Sequence, residues 1–461
     1  MGQHCHYGYF FNSPSKKAAH EHRDNNSFTI FKNAPLLLDA GYYDYYGSTH
    51  YRNYYERTIA HNTICVYDST ETYTTLGVPV SNDGGQIESP TLMNYDDIFL
   101  PQHQRGKWIQ FAADSTYAYN IADAQLSYDS TKLDFFRRRL LYIKPNKVIV
   151  LDHIHLKNIT THQRDVKWIA HFANKPNING SVISTTVPGH ITTYNGKTYT
   201  STNGNGSIAI KTLLPDSSVT TLIGGTGYEY WVDGVNYPPE TEPDTSFFSP
   251  GKWRIEVRPV TLTDTIIYLH TIDIGDTTDV AVAGGLAMQS IYSVGVDWDD
   301  TLYFFANDAD TGKVYHVFNN VQGNRFVSIF AADLTSGSYN VLIDGIEVEP
   351  VPADTNGIIK SSVYLPTGHH VVEIALNTMG TNEVTSKNTL SIYPNPAHTE
   401  LNIIPALESY PFEVKIYNTR GKLVMKRYNQ LRLNISDLPS GQYIVQVNQN
   451  NHCYSTKLIK Q

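Results

Sequence analysis

The chain is written almost entirely in short strand-like runs. Residues 148–151 are an unbroken apolar run (VIVL) after the turn Lys144-Pro145-Asn146, and residues 139–143 before that turn read as its hairpin partner. Runs of the same kind recur at residues 167–172, 253–257, 265–270, 302–305, 314–318, 326–330 and 339–343. Gly, Asn, Asp and Pro separate many of them at intervals of roughly ten residues, the spacing of a sandwich or barrel. No long segment places its apolar residues at the helical period of 3.6. Tyrosine is used 33 times in 461 residues and Thr, Val and Ile are frequent, a mixture that suits pleated, half-buried strands. The pattern predicts an all-β chain whose main part, residues 1–377, is one large antiparallel β-sandwich.

Residues 378–389 (TMGTNEVTSKNT) are polar and contain nothing that nucleates a core, so they read as a linker. Residues 390–461 then start afresh with the turn Tyr393-Pro394-Asn395-Pro396. Strand-like pieces follow at residues 401–404, 412–417, 422–426, 431–435 and 442–446. Their joints include Thr419-Arg420-Gly421 and Pro439-Ser440-Gly441. A second, small β-sandwich is expected there.

Several function classes drop out. The net charge of -9 argues against nucleic-acid or membrane-surface binding through bulk charge, so an anionic ligand must be met by a local cluster of Arg, His and Lys. The three cysteines, Cys5, Cys65 and Cys453, are far apart and form no CxxC, which leaves neither a thiolate zinc site nor a disulfide framework. No P-loop, GxGxxG, GxSxG or HExxH is present. The first residues, MGQHCHYGYFFNSPSKK, lack a basic region followed by an apolar one and are not read as a signal peptide.

Chemistry-bearing side chains concentrate in residues 20–61, which hold His20, His22, His50 and His61 with Asp24, Asp39, Arg52, Arg57 and many tyrosines. If His20-Glu21-His22-Arg23-Asp24 is a strand, His20, His22 and Asp24 line one face. Two imidazoles and a carboxylate can bind a divalent metal, or one imidazole can act as a base; Asp39 and His61 are the nearest further ligands. A surface strand without ligands is the competing reading. Asp39-Ala40-Gly41 ends the apolar run Leu36-Leu37-Leu38 and either delivers a carboxylate to a site edge or caps a turn. Tyrosines at positions 42–46 and 51–55, among them Tyr43 and Tyr46, offer faces for stacking on sugars or pack in the core. Arg52, Arg57 and Arg137 to Arg139 present forks suited to carboxylate and sulfate, or lie on a solvated strand face.

These residues together resemble the heparinase II/III-like domain of polysaccharide lyases. The matching pattern is HxHxD at His20, His22 and Asp24, then a strand ending in Asp39-Ala40-Gly41, then a tyrosine-rich loop leading to Thr58-Ile59-Ala60-His61-Asn62. Asn82-Asp83-Gly84-Gly85-Gln86, residues 114–119, Lys167-Trp168 with His171, and Gly251-Lys252-Trp253-Arg254 follow in the expected order. Within the group the chain most resembles heparinase II. The resemblance implies β-elimination on an acidic, uronate-containing polysaccharide such as heparin or heparan sulfate. His20 matches the catalytic histidine, and His22, Asp39 and His61 match the ligands of one structural zinc. Tyr43, Tyr46, Arg52 and Arg57 are the candidate substrate contacts. Residues 390–461 resemble the type A sorting domain of the type IX secretion system through Tyr393-Pro394-Asn395-Pro396, Tyr417-Asn418-Thr419-Arg420-Gly421 and residues 438–443. That implies a Bacteroidetes source, dealings with the secretion machinery, and a secreted or cell-surface protein.

Members of the group also carry an (α/α) toroid domain that supplies a catalytic tyrosine and groups that neutralise the substrate carboxylate. No residue here matches that tyrosine, so the expectation is the C-terminal part of a longer or split lyase. The rival expectation is a non-catalytic carbohydrate-binding or surface-displayed module.

Overall fold

The computed structural model describes residues 6–13, 21–89, 94–157, 159, 164–241, 250–307, 312–377, 390–405, 412–418, 422–449 and 452–461. His20, the expected linker at residues 378–389, and Thr419-Arg420-Gly421 lie outside the described residues.

The predicted hairpin forms. Leu133–Ile143 pairs antiparallel with Lys147–Leu156, and the turn between them holds a cis Lys144-Pro145 bond. These two strands sit inside an eight-stranded sheet with the order Asn177–Asn179, Thr198–Asn203, Gly206–Leu214, Thr265–Asp276, Lys147–Leu156, Leu133–Ile143, Tyr117–Asp123 and Lys107–Ala113. A six-stranded sheet covers one of its faces: Val182–Val187, Ile191–Tyr194, Ser218–Gly224, Trp253–Pro259, Arg164–Phe172 and Ile64–Asp68. A five-stranded sheet, from Leu286–Gln289 to Ile359–Leu365, covers the other. A four-stranded sheet of Tyr315–Gln322, His369–Leu376, Ser338–Ile343 and Ile346–Pro352 lies beyond that.

The period of two explains the layering. In Lys147–Leu156, Val148, Val150, Ile154 and Leu156 enter the core shared with the six-stranded sheet. The alternate residues Ile149 and Leu151 enter the core shared with the five-stranded sheet. In Thr301–Ala306, Tyr303 and Phe305 face that second core, while Leu302 and Phe304 face a third. A strand buried on both faces reads as a continuous apolar run rather than an alternating one, which is what VIVL records. Each fully buried Val, Ile or Leu in these cores contributes roughly 1.5–3 kcal/mol of transfer free energy.

Residues 390–461 have a core of their own, with Leu401, Ile403, Val414, Ile416, Leu433, Val445, Val447 and Leu458 between a three-stranded and a four-stranded sheet. The last strand, His452–Lys460, was not expected from sequence.

Two expectations need correcting. Residues 21–24 are not a strand: Arg23 N–H donates to Glu56 O at 2.8 Å, and a turn closes from Ser27 N–H to Asp24 O at 2.9 Å. Arg138 and Arg139 are not on a solvated face. Both are buried, paired with Asp152 and Asp333 respectively.

Candidate functional site

A three-stranded sheet of His6–Phe11, Ser27–Lys32 and Ala34–Leu37 carries the loop that holds His22 and the exit that holds Asp39. The loop is fixed from below by amides. Asn25 N–H donates to Gln86 Oε1 at 3.1 Å, its Nδ2 donates to Ser127 Oγ at 2.7 Å, and its carbonyl accepts from Gln86 Nε2 at 2.8 Å and Thr63 Oγ1 at 3.1 Å. Arg23 next to His22 pairs with Glu56 at 2.8 Å. Asp39 is positioned where Ala40 N–H donates to Ala60 O at 2.8 Å and Ala40 bridges to Gly251. Gly41 then turns with φ +76°, and a Cβ there would lie 2.9 Å from His50 Nε2, so both conformation and space require glycine.

His61 follows the single turn Thr58–Ala60, closed by His61 N–H to Thr58 O at 3.0 Å. The neighbouring Asn62 is wholly buried and ties three segments together. Its Nδ2 donates to Phe28 O at 2.8 Å and Leu38 O at 3.2 Å, and its Oδ1 accepts from His171 N–H at 2.7 Å.

These supports bring three of the sequence-nominated residues together. His22 Nδ1 lies 3.2 Å from His61 Nε2, and His61 Nδ1 lies 3.0 Å from Asp39 Oδ1. His61 is fully buried, whereas the Asp39 side chain is 44% exposed at the rim. Loss of hydration among the packed rings raises the Asp39 carboxyl, but the pull of His61, with more from His22 and His171, holds it below the usual carboxylate range. The Asp39 carboxylate thus faces the Nδ1 side of the His61 ring, while its Nε2 side faces His22. His171 lies behind the group; burial, aided by Arg254, pushes it down to about 3, so it is neutral.

Aromatic rings form the wall beside His22. Tyr55 meets the His22 ring edge-on at 4.5 Å, and Tyr43 meets Tyr51 at 5.9 Å and Tyr55 at 6.3 Å. Tyr43 and Tyr46 are 49% and 44% exposed, open enough to receive a ligand. Burial raises the Tyr51, Tyr54 and Tyr55 hydroxyls, Tyr54 to about 12, so these phenols stay protonated and act as donors rather than bases. His50 stacks between Tyr54 and Tyr55 and meets Tyr230 at 4.8 Å.

The arginines separate. Arg52 is half-buried and donates from Nη1 to Gly47 O at 2.5 Å. Arg57 is completely buried, paired with Asp83 and 4.4 Å from the Tyr73 ring centroid, so it braces the interior instead of contacting a substrate. The sequence reading also did not anticipate the bracing role of Asn25. Its signal was the Asn25-Asn26 pair at a turn, where short amides commonly satisfy backbone groups.

The donor chemistry suits zinc in part. Two imidazole nitrogens 3.2 Å apart have the spacing of two ligands on one ion with bonds of about 2.0–2.1 Å. Asp39 meets His61 from its other nitrogen, as a carboxylate that orients a ligating histidine does. Among the described residues, no three His, Cys, Asp or Glu side chains form a metal-holding group.

Comparison with known proteins gives two family matches. Residues 9–222 match the family model described as heparinase II/III-like, C-terminal, and residues 391–461 match the secretion system C-terminal sorting domain. No curated protein matches the chain. Among solved structures, heparan sulfate lyase HepC from Pedobacter heparinus aligns at 13% identity with a TM-score of 0.42, covering 66% of this chain and 40% of that one. A heparinase III crystal structure aligns at 16% identity with a TM-score of 0.39, covering 63% and 37%. The chain thus spans about two fifths of the length of the solved structures it matches. Residues 9–222 are thus similar to heparinase II/III-like C-terminal domains, and residues 391–461 to secretion-system C-terminal sorting domains.

Proposed function

We propose that the chain is the β-sandwich part of a polysaccharide lyase that cleaves an acidic, uronate-containing polysaccharide of the heparin and heparan sulfate type by β-elimination. The observation that carries this reading is the meeting of His22, His61 and Asp39, from three separate segments, beside a half-exposed tyrosine wall. A base takes the proton from C5 of the uronate, the electron pair becomes the C4–C5 double bond, the C4–O bond breaks, and an acid protonates the departing oxygen. His20 is the proposed proton-transfer group. Tyr43 and Tyr46 offer stacking faces to the sugar, and Arg52 a cation at its edge. The carboxylate-neutralising groups and a further proton donor belong to a second domain, the toroid of the family. The sorting domain directs the protein to the type IX machinery and the cell surface or medium.

His22 and His61, with Asp39 bearing on His61, are the residues proposed for one structural zinc. Bound there, it would clamp the His22 loop to the segments carrying Asp39 and His61. Protein purified without a polyhistidine tag is expected to contain one zinc per chain, lost in a His22→Ala/His61→Ala double variant. Absence of stoichiometric zinc counts against the ion.

The activity is tested by ultraviolet absorbance from the new double bond, with heparin, heparan sulfate and alginate as substrates and the toroid domain supplied. Absorbance is expected to rise, and to stop rising in His20→Ala. No change with any of these polymers rejects the lyase reading.

A further inference from the structure

Away from the His22 group, the outer end of the six-stranded sheet carries a row of rings. His190 stacks on Tyr228 at 4.5 Å with an interplanar angle of 25°, and Tyr228 lies 4.9 Å from Trp231 at 36°. Gly225, at φ +79°, sits between His190 and Trp253: a Cβ there would lie 2.9 Å from Trp253 Cζ2 and 3.3 Å from His190 Nδ1. The row thus runs Trp231, Tyr228, His190, Trp253, with all four rings half-buried. The exposed Lys175 places its ammonium 4.8 Å from the centroid of the Trp253 ring. Lys175 also lines a cleft of about 380 Å³ whose walls include Asn174, Asn177, Thr200, Ser201 and Thr202.

Two kinds of surface therefore meet at Lys175. One is a stack of aromatic rings ending in Trp231, which suits the C–H faces of pyranose rings; the other carries hydroxyls and amides beside the apolar Ile208, Val280 and Ala281, a mixture that suits a sugar's hydroxyls and its C–H face. The cation between them suits a carboxylate or sulfate. The hairpin that presents Trp231 also connects to the candidate site, because its neighbour Tyr230 packs on His50 at 4.8 Å and on Tyr54 at 5.2 Å.

We propose that Trp231, Tyr228, His190, Trp253 and Lys175, with the cleft beside Lys175, form an accessory binding site for an acidic oligosaccharide, separate from the His22 group. The choice of an acidic saccharide rests on the lyase reading. The site holds polymer near the reacting centre and takes no part in bond cleavage.

Affinity electrophoresis of the full chain in gels containing heparin or alginate tests this. Wild-type protein is expected to be retarded, and less so at higher ionic strength. Trp231→Ala and Lys175→Ala are each expected to weaken retention about tenfold in apparent Kd. Lys175→Arg should stay near wild type, and His22→Ala should retain binding. If Trp231→Ala does not fold, judged by its melting curve, the exposed Lys175 variants carry the test. Wild-type binding in Trp231→Ala and Lys175→Ala overturns the accessory site, as does no retardation of the wild type. Retention unaffected by these variants alongside intact, His20-dependent turnover sinks the accessory site and spares the lyase reading. Retention that needs Trp231 and Lys175 without turnover in the presence of the toroid domain does the reverse.

Discussion

Arg138 shows how one side chain can hold both the core and the site. It is fully buried and meets Asp152 in a bidentate pair, Nε to Oδ1 at 2.6 Å and Nη2 to Oδ2 at 2.7 Å. Its Nη1 donates to Asn26 O at 2.5 Å and to Asn62 O at 2.7 Å, one carbonyl from the His22 loop and one next to His61. Replacing only one partner of a buried pair leaves an uncompensated charge. Arg138→Met should therefore cost about 3–5 kcal/mol, read by urea unfolding. The double variant Arg138→Met/Asp152→Leu removes both charges and should recover most of that loss. The double variant should nevertheless lack the zinc proposed for His22 and His61, because the Asn26 and Asn62 carbonyls still lack their donor. Full stability in the single variant would show that the pair does not organise this region.

The segments that form the site differ in how far they could be read in advance. The strands were legible because a period of two and runs such as residues 148–151 survive any tertiary context that buries them. Composition nominated Asp39 and His61 as the nearest partners for the residue 20–24 imidazoles, but their assignment as one set with His22 came from the motif resemblance, since spacing placed His20, His22 and Asp24 on one face of a strand. The loop that replaces it is set by contacts remote in sequence, Arg23 with Glu56 and Asn25 with Gln86 and Ser127. Charge type misled for Arg57 and Arg138: a guanidinium looks solvent-directed until its buried carboxylate is known, and Asp83 and Asp152 lie 26 and 14 positions away. The loop's dependence on amides gives a test. Asn25→Ala removes a donor from Ser127 and an acceptor used by Ser13 N–H, and should cost about 1–3 kcal/mol from one buried and one part-buried hydrogen bond. Asn25→Asp would bury an unpaired carboxylate against Ser127 Oγ, whose hydrogen is already given to Arg105 O, and should cost at least as much. Equal thermal midpoints for wild type and Asn25→Ala would mean that the loop is held elsewhere.

The layered sheets also bury histidines, and that sets how the fold meets acid. His50, His171, His270 and His316 are all buried, and burial pushes each below the ordinary 6.5, His171 to about 3 and His316 to about 4. Local geometry agrees for His316. Its Nε2–H donates to Ala332 O at 2.7 Å, so its Nδ1 accepts from Ser293 O–H at 2.8 Å, and Ser293 Oγ in turn accepts from Val317 N–H at 3.1 Å. A second ring proton would reverse that hydrogen bond and leave the buried Ser293 hydroxyl hydrogen to find another acceptor. His270 stacks on Trp168 at 3.8 Å, where a charge has little hydration. In the unfolded chain these rings take up protons as pH falls through 6.5, while in the folded chain each stays neutral to lower pH, His171, His270 and His316 to much lower. The unfolded state then binds more protons, so stability rises with pH across this window and falls on acidification, by about 1.4 kcal/mol per pH unit for each ring titrating only when unfolded. Glu256 acts in the same direction at lower pH. Burial raises it, but Lys167 and Arg254 outweigh that and hold it at about 2, so its stabilisation is present above the ordinary 4.5 and lost as pH falls toward 2. Thermal midpoints should be level above pH about 7, fall steeply between pH about 6.5 and 4.5, and fall further below. His316→Gln keeps part of the hydrogen bonding without a titrating ring and should make the upper part of that descent shallower. A midpoint unchanged from pH 7 to 5 would mean that these four rings are hydrated or protonated in the fold, and the packing around His270 and His316 would have to be redrawn.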